Sequence, residues 1–420
     1  MSDRQVASSL RMIVLIIVSL FAASLPAAAQ AVRITFVRLT SAAHDAYLDP
    51  MTAAFEKANP AVAVESIKVP TGGYEAIAAR ALLSAAAGTA PDVVQVGWHL
   101  TRTFVESGRA VALDAFMKAD RAFANDSLLP AMLELGKVDG RYYLVPIGIS
   151  TPAMFINEEA FLKAGLDPKI PPKTWAETRA AAERLKAAGF EGVLWGWSIT
   201  GNWIFQTMLE SAGGRMASDD GFTVTFNREP GVRVAEYLAD LAANKLMPVT
   251  DQTVQLFSSG RLGMLIDSSF QRVNLPRASK FPVRMVSIPT PDGRPGRLPA
   301  GGNGVMVLSQ DVTRLQAAWR FSRFVTEPPV SRIVGENSGY TPANQSVIAA
   351  LRKQYATDAN FQTQLTDASR VVPWHSWPGP NGARIAQILR DAQQAFLLGR
   401  KAPKAALDEA AAQVTPLLKP

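Results

Sequence analysis

Cysteine is absent from the 420 residues of this chain. Its absence predicts a protein without disulfide bonds, without a thiolate metal site and without the kind of lipid anchor that needs a cysteine at the mature N-terminus. We therefore expect the folded state to be held by packing alone. A mature chain of roughly 390 residues is long enough to form two domains, each with its own core.

Long apolar runs are also absent, apart from one near the N-terminus. Residues Met12–Leu25 form an apolar stretch that is followed by an Ala-x-Ala site at 27–29. The stretch is shorter than the roughly 20 apolar residues that a membrane-spanning helix needs. We expect residues 1–29 to be a cleaved signal peptide, with a retained signal anchor as the alternative. The mature protein is expected to start near Gln30 or Val32 and to be free in the periplasm of a Gram-negative bacterium.

Clusters of like charge are missing as well. The formal net charge is +7, yet the basic residues are scattered singly along the chain. Proteins that bind nucleic acids concentrate basic residues on one face or helix and carry a recognisable motif. We therefore expect no nucleic-acid partner. A mildly basic surface is the simplest interpretation, and a modest preference for anionic ligands or membrane surfaces is the alternative.

The common catalytic motifs are absent too. The sequence has no G-x-S-x-G, P-loop or H-E-x-x-H motif, and no G-x-G-x-x-G after a predicted strand. Its three histidines, His44, His99 and His375, lie far apart in the sequence. These absences indicate that the protein is not an enzyme, and they predict neither a cofactor nor a metal site.

The N-terminal part of the chain alternates between the hydrophobic periods of strands and helices. In order, we predict a strand at 32–39, a helix at 45–60, a strand at 61–69, a helix at 74–87 and a strand at 91–97. This βαβαβ order is typical of a doubly wound, mostly parallel sheet in an α/β fold. Such sheets bind ligands beyond the carboxyl ends of their strands. The positions of interest are therefore 41–44, 71–74 and 98–101.

Helix and strand signals continue along the rest of the chain. Thr174 and Glu177 form a capping box in sequence, which predicts that a helix begins at Trp175. An Asp-Gly pair at 139–140 predicts a turn between two short strands. Further helices are predicted at 158–164, 175–188, 231–244, 313–326, 383–398 and 404–418, and further strands at 262–266 and 301–309.

Aromatic and small polar residues lie near the predicted strand ends and loops. A site for sugars or polyols needs flat apolar faces, convergent hydrogen-bonding groups and a concave shape that excludes water. Candidates for the apolar faces are Tyr74, Trp98, Trp197, Trp203, Tyr340, Trp374 and Trp377. Candidates for the polar groups are Ser150, Thr151, Asn202, Ser268, Ser269, Asn303 and the backbone at Gly301 and Gly302. In contrast, the positions of Trp175, Trp195 and Trp319 predict core packing.

Six segments, in this order, are similar to a known family. They are TGGYEAI at 71–77, PDVVQVG at 91–97, ISTPAMFINEEAFLKAGLDP with PPKTW at 149–175, GGNGVMVLS at 301–309, NSGYTPA at 337–343 and GRKAPKAALDEA at 399–410. Together they resemble the extracellular solute-binding proteins of ABC importers, in the maltose-binding-like group. Within that group the chain resembles in particular the branch that binds sn-glycerol-3-phosphate and related glycerophosphodiesters.

The resemblance implies two α/β lobes that are joined by a hinge of crossing segments and close on a ligand. It implies a first lobe formed by 32–147 plus 268–328, and a second lobe formed by 148–267 plus 329–420. Lobe closure would capture a small solute. The protein, expected to be a monomer, would then deliver the solute to the permease subunits of the importer in the membrane.

The resemblance also implies most of a ligand-binding site. The matching positions are Tyr74, Ser150, Ser268 or Ser269, a glycine of the pair Gly301 and Gly302, and Tyr340. Two positions depart from the branch. Where the branch has a glutamate after the V-Q-V strand, this chain has Trp98, or Gly97 with one residue of slack. The arginine that pairs with phosphate has no clean counterpart, and Arg384 is the nearest candidate.

The two departures leave the identity of the ligand open. A buried phosphate needs a fixed cation or a helix N-terminus, whereas tryptophan suits a sugar face or a quaternary ammonium group. We expect a glycerol-phosphate or glycerophosphodiester-type polyol, with a mono- or oligosaccharide as the alternative. A secreted carbohydrate-active enzyme or lectin is an alternative of another class, and such an enzyme needs two carboxylates that face one cleft.

Overall fold

A computed structural model describes residues 31–70, 72–121, 123 and 127–418 of the chain. The predicted signal peptide at 1–29 lies outside the described residues. Within the described ranges, none of the helices has the length and apolar character that crossing a membrane requires.

Strands and helices alternate along most of the chain. The strands are β1 (Val32–Leu39), β2 (Val62–Val69), β3 (Val93–Gly97), β4 (Lys137–Val138), β5 (Arg141–Tyr142), β6 (Leu144–Ser150), β7 (Pro152–Asn157), β8 (Glu191–Trp195), β9 (Leu262–Ser268), β10 (Val283–Ser287), β11 (Leu298–Pro299), β12 (Gly301–Val307), β13 (Thr341–Pro342) and β14 (Val371–Val372). The helices are α1 (Ala42–Ala58), α2 (Gly73–Ala86), α3 (Thr101–Glu106), α4 (Asp114–Ala119), α5 (Pro130–Leu135), α6 (Glu158–Lys163), α7 (Trp175–Ala187), α8 (Trp203–Ser211), α9 (Glu229–Ala243), α10 (Thr253–Ser258), α11 (Gln271–Ala278), α12 (Val312–Phe324), α13 (Pro328–Asn337), α14 (Gln345–Gln354), α15 (Ala359–Ala368), α16 (Gly382–Leu397) and α17 (Pro403–Val414).

The first lobe is built around a six-stranded sheet with the order β13–β6–β12–β3–β1–β2. β1 pairs in parallel with β2 and β3, as the βαβαβ pattern predicts. β12 pairs antiparallel with both β3 and β6, and β13 pairs antiparallel with β6. The prediction of a mostly parallel sheet is therefore wrong beyond β1, β2 and β3. β12 is antiparallel to β3 and β6 because the chain re-enters this sheet from the other lobe at Gly301.

The second lobe is built around a four-stranded sheet with the order β10–β7–β9–β8. β8 and β9 are parallel, whereas β7 pairs antiparallel with both β9 and β10. The central strands β7 and β9 are buried along nearly their whole length. Such strands are apolar throughout, because elements on both faces of the sheet exclude water. Trp175, Trp195 and Trp319 are all buried, which confirms their predicted role in packing.

Local sequence signals explain where several elements begin and turn. The side chain of Thr174 accepts the N–H of Glu177 at 3.0 Å, and the carboxylate of Glu177 accepts the N–H of Thr174 at 3.0 Å. The predicted capping box at the start of α7 is thereby confirmed. Asp139 and Gly140 have φ values of 48° and 83° between β4 and β5, as the predicted Asp-Gly turn requires.

The crossing segments between the two sheets are bonded to one another. The N–H of Thr151, between β6 and β7, donates to the hydroxyl of Ser269 at 3.0 Å. The N–H of Ser269 in turn donates to the carbonyl of Thr151 at 2.8 Å, and the N–H of Gly339 donates to the carbonyl of Phe270 at 3.1 Å. These bonds hold together the hinge that the family resemblance implies.

The predicted limits of the lobes need correction for two strands. β10 lies in the range 268–328 that we assigned to the first lobe, yet it pairs with β7 in the second sheet. β13 lies in the range 329–420 that we assigned to the second lobe, yet it pairs with β6 in the first sheet. Both are edge strands, and they cover backbone groups of β7 and β6 that would otherwise be unpaired. The predicted limits at 268 and 329 therefore lie too early in the chain, and the limit at 148 lies too early as well, because β6 continues to Ser150 in the first sheet.

Asp267, near the end of β9, is a buried carboxylate close to the hinge. The hydroxyl of Thr253 donates to it at 3.0 Å, and the N–H of Ser268 donates to it at 2.6 Å. Burial nevertheless outweighs these bonds and raises the pKa of Asp267 to about 6. The folded state therefore loses stability as the pH rises and Asp267 ionises, because the unfolded chain ionises more readily.

We expect Asp267→Asn to stabilise the protein at pH 8 by up to about 3 kcal/mol, because it removes a charge that the native state must bury. The gain should shrink as the pH falls through 6, and it should vanish near pH 4, where Asp267 is largely protonated when folded. Thermal unfolding between pH 4 and pH 8 measures this effect. Asp251→Asn, at an exposed position, is the control, and a gain at Asp267 that does not vary with pH would contradict the interpretation.

Candidate ligand-binding site between the two lobes

Tyr74 and Tyr340 belong to one buried polar network in the first lobe. Tyr74 lies in the first turn of α2, directly after a turn in which Gly72 has a φ of 82°. Its hydroxyl lies 3.2 Å from that of Tyr340 and accepts a hydrogen bond from Nδ2 of Asn303 at 2.8 Å. Nε2 of Gln95 donates to Oδ1 of Asn303 at 3.0 Å. Burial raises the pKa of both tyrosines, so both remain neutral hydroxyl groups.

Ser150, Gly301 and two tryptophans meet at the junction of the lobes. A Cβ at Gly301 would lie 2.5 Å from Cζ2 of Trp203 and 2.6 Å from Oγ of Ser150, so only glycine fits there. Nε1 of Trp203 donates to the carbonyl of Pro299 at 2.9 Å, and Nε1 of Trp98 donates to the carbonyl of Gly301 at 3.2 Å. The indole of Trp203, on α8 of the second lobe, therefore covers Ser150 of the first lobe.

Trp374 completes an aromatic cluster with His99 and Trp203. The rings of His99 and Trp374 are stacked, with centroids 4.0 Å apart. The rings of Trp203 and Trp374 are tilted by 40°, with centroids 5.7 Å apart. All three side chains are buried. Because His99 belongs to the first lobe and the two tryptophans to the second, the cluster spans the boundary between the lobes.

Three further predicted residues lie at the hinge. The hydroxyl of Ser269 is buried and bonds the backbone of Thr151. Gly302 has a φ of 101°, and a Cβ there would overlap a neighbouring carbonyl oxygen. Ser268 is partly exposed, and its hydroxyl accepts the N–H of Phe270 at 3.2 Å. Ser268 is therefore the more accessible of the two serines, whereas Ser269 and Gly302 serve the backbone.

Arg384 lies apart from these residues. It occupies the first turn of α16, where its side chain is exposed to solvent. The structure brings together Tyr74, Trp98, Ser150, Trp203, Gly301, Tyr340 and Trp374 near the boundary of the lobes, but it does not bring Arg384 to them. The predicted contact between Arg384 and a phosphate therefore has no geometric support.

A cavity of about 710 Å³ opens between the lobes beside the aromatic cluster. The first lobe contributes Trp98, Thr101, Arg102, Glu134, Leu135, Lys137 and Val138 to its wall. The second lobe contributes Gln206, Glu210, 213–219, Arg297 and 373–376. The volume falls within the range of roughly 300–1,000 Å³ that is typical of pockets for small molecules.

Each cation that lines this cavity is paired with a carboxylate, and three of the four carboxylates (Glu134, Glu210 and Asp219) also line the cavity. The pairs are Arg102 with Glu106, Lys137 with Glu134, Arg215 with Asp219, and Arg297 with Glu210. In the described part of the chain, each cation of the cavity wall thus has a carboxylate neighbour. The sequence did not reveal these residues, because they follow no predicted strand and form no motif.

Three polar atoms of residues in the cavity wall are buried without a hydrogen-bond partner in the described structure. They are Nε1 of Trp374, Nε2 of His375 and Oε2 of Glu210. Burial lowers the pKa of His375 to about 4, so its imidazole is neutral at pH 7. Burial also raises the pKa of Glu210. Buried polar atoms are normally satisfied, so these atoms are suited to bind a ligand or ordered water.

The chain is similar to known proteins over most of its length. Residues 40–331 match the family described as bacterial extracellular solute-binding proteins. The chain belongs to this family. It is also 25% identical over 383 residues to the sn-glycerol-3-phosphate-binding periplasmic protein UgpB of Pectobacterium atrosepticum, which covers 85% of this chain and 85% of that protein. The resemblance predicted from the six sequence segments is therefore confirmed.

Two solved structures show the same fold. UgpB from Mycobacterium tuberculosis, in complex with glycerophosphocholine, aligns with a TM-score of 0.79 at 21% identity, covering 92% of this chain and 98% of that one. MalE3 of T. maritima, with bound maltose, aligns with a TM-score of 0.80 at 19% identity, covering 92% of this chain and 100% of that one. The predicted two-lobed α/β fold of a solute-binding protein is thereby confirmed.

Asn303 holds the buried polar network together. We expect Asn303→Ala to destabilise the protein by about 1–3 kcal/mol, because it removes the donor to Tyr74 and the acceptor of Gln95. Urea-induced unfolding measures the change. Asn244→Ala, at an exposed helix end, should stay within about 0.5 kcal/mol of the unmodified protein. Equal effects of the two variants would argue against the network.

Proposed function

We propose that this protein is the substrate-binding subunit of an ABC importer. It captures a small solute by closing its two lobes and delivers the solute to permease subunits in the membrane. The observation that carries the proposal is the cavity of about 710 Å³, whose wall comes from both lobes. A ligand that contacts both walls stabilises the closed arrangement relative to the open one. Membership of the solute-binding family supports this role.

The proposed site of action is the periplasm. The related protein of Pectobacterium atrosepticum is named a periplasmic protein, which supports this location. The apolar stretch Met12–Leu25 supports export by a cleaved signal peptide. We further propose that the protein acts as a monomer and that it binds its ligand without transforming it.

For the ligand we propose a glycerophosphodiester-type polyol with no net charge. The cations of the cavity wall all have carboxylate neighbours within the described structure, so the wall offers both signs of charge. A doubly charged phosphate monoester needs cations that are free to bind it. A zwitterion such as glycerophosphocholine instead carries one phosphate charge and a quaternary ammonium group, which aromatic rings such as Trp98 bind well. The relative solved with glycerophosphocholine supports this choice.

A mono- or oligosaccharide is the second candidate. The atoms of Trp374, His375 and Glu210 that lack a hydrogen-bond partner among the described residues include both donors and acceptors, and a sugar hydroxyl group can bond to either kind. A cavity of about 710 Å³ has room for more than one sugar ring. The relative solved with maltose supports this alternative.

Thermal unfolding of the mature protein with glycerophosphocholine, sn-glycerol-3-phosphate and maltose separates these candidates. A ligand at 100 times its Kd adds about 2.7 kcal/mol of stability, which raises the Tm by roughly 3 °C for a chain of about 390 residues. We expect the largest rise with glycerophosphocholine. A rise with maltose alone would select the second candidate, and no rise with any compound would overturn the proposed ligand classes. Release of a product from any compound would indicate an enzyme instead.

Arg297→Ala and Arg384→Ala form a matched pair that tests where the phosphate binds. Arg297 lines the cavity, with its Nε 3.7 Å from Oε2 of Glu210, whereas Arg384 is exposed. We expect Arg297→Ala to weaken glycerophosphocholine binding about ten-fold, the equivalent of one hydrogen bond to a charged group. Calorimetric titration should show unchanged affinity for Arg384→Ala. Loss of binding in Arg384→Ala alone would restore the assignment made from the sequence.

A further inference from the structure

We propose that Glu75 is a latch between the lobes, a positioning residue that stabilises the closed arrangement without contacting the ligand. The inference rests on the proposed capture of a solute by lobe closure. Glu75 directly follows Tyr74 in α2 of the first lobe, and it is not one of the residues that line the cavity among those described. Its carboxylate points instead at a short segment of the second lobe.

Both oxygens of Glu75 are bonded across the boundary. The hydroxyl of Thr200 donates to Oε2, and the N–H of Gly201 donates to Oε1 at 2.7 Å. On its own side of the boundary, Nε2 of His99 lies 3.2 Å from Oε1. Burial alone would raise the pKa of Glu75, but the hydrogen bonds from His99 and Thr200 outweigh burial and lower it to about 2. The bonds are therefore charge-assisted at neutral pH.

The segment that receives Glu75 is fixed within the second lobe. Gly201 and Asn202 both have positive φ, at 62° and 55°. Nδ2 of Asn202 donates to the carbonyl of Ala386 at 2.9 Å, and Nε2 of Gln393 donates to Oδ1 of Asn202 at 2.7 Å. A Cβ at Gly201 would lie 2.6 Å from Cζ2 of Trp374, so only glycine fits there. The N–H of Gly201 is thus held in place by α16 and by the aromatic cluster.

The two bonds across the boundary depend on lobe closure, whereas the contact with His99 lies within the first lobe. The partners of the latch lie in different lobes, 125 and 126 residues apart in sequence. Separation of the lobes would break both bonds while leaving the two sheets intact. The apparent affinity for a ligand depends on the fraction of molecules in the binding-competent state. A latch outside the cavity therefore raises the affinity for every ligand that needs closure.

An engineered cross-link reports closure without any ligand. A Cβ at Gly382 in α16 would lie 2.8 Å from Oγ1 of Thr103 in α3. In a double variant that carries Thr103→Cys and Gly382→Cys, the two cysteines can therefore form a disulfide bond when the lobes are closed. The chain contains no other cysteine. The rate of disulfide formation at a fixed oxidant concentration therefore measures the population of the closed form.

In the double-cysteine variant we expect Glu75→Ala to slow disulfide formation about ten-fold, which corresponds to the loss of one net charge-assisted hydrogen bond. Thr200→Ala should slow it less than Glu75→Ala, because the bond from Gly201 to Glu75 remains, and it should add little once Glu75 is alanine. Glu65→Ala is the matched control, because Glu65 is an exposed carboxylate of the same lobe that pairs with Arg33. It should leave the rate unchanged.

An unchanged rate in Glu75→Ala, or fully additive effects of Glu75→Ala and Thr200→Ala, would overturn the proposal. A lower Tm with an unchanged rate would assign Glu75 a purely structural role. If Glu75→Ala does not fold, Glu75→Gln keeps an acceptor for Gly201 and should give an intermediate rate. Because the assay contains no ligand, failure of every compound in the thermal panel would leave its outcome intact. Where glycerophosphocholine binds, Glu75→Ala should raise its Kd by the factor that slows cross-linking.

Discussion

The reciprocal bonds between Thr151 and Ser269 tie the two lobes together where the chain passes from one to the other. The two sheets are joined by backbone that passes through a buried region, where the backbone N–H and C=O groups need hydrogen-bond partners. The N–H of Thr151 donates to the hydroxyl of Ser269 at 3.0 Å, and the N–H of Ser269 donates to the carbonyl of Thr151 at 2.8 Å. This junction fixes where β6 ends and β7 begins, and it holds Ser150 in place as the last residue of β6.

Elements with strong local periodicity were predictable from the sequence, whereas long-range pairing was not. β1 was predicted at the residues where it lies, and the capping box set the start of α7. β10 and β13 are short and join sheets that are distant in sequence, so no local signal assigns them. Tyr74 and Gly301 were found because they follow or begin a strand in a shared motif. Arg297 and Glu210 meet only through the folded chain, and no spacing in the sequence reveals them.

The charges at the boundary of the lobes are balanced in two different ways. Inside the cavity, cations and carboxylates are paired while many remain accessible to solvent, so a bound molecule can exchange with one member of a pair. Such exposed pairs contribute little to stability. Beside the cavity, Glu75 is more enclosed, with 20% of its side chain exposed, and its partners are uncharged donors of the other lobe together with His99. Recognition of a solute and control of closure can therefore vary independently.

In the closed arrangement, the indole of Trp203 occupies the space over Ser150 and Gly301. A molecule that is to reach the hydroxyl of Ser150 must displace a ring that is only 2% exposed and that already donates a hydrogen bond to Pro299. The affinity of such a molecule then depends on the difference between its own interaction free energy at Ser150 and that of the indole of Trp203. A molecule of weak complementarity would not displace the ring. Selectivity at this position would thus depend on the free energy needed to displace Trp203 as well as on the contacts that the new molecule makes.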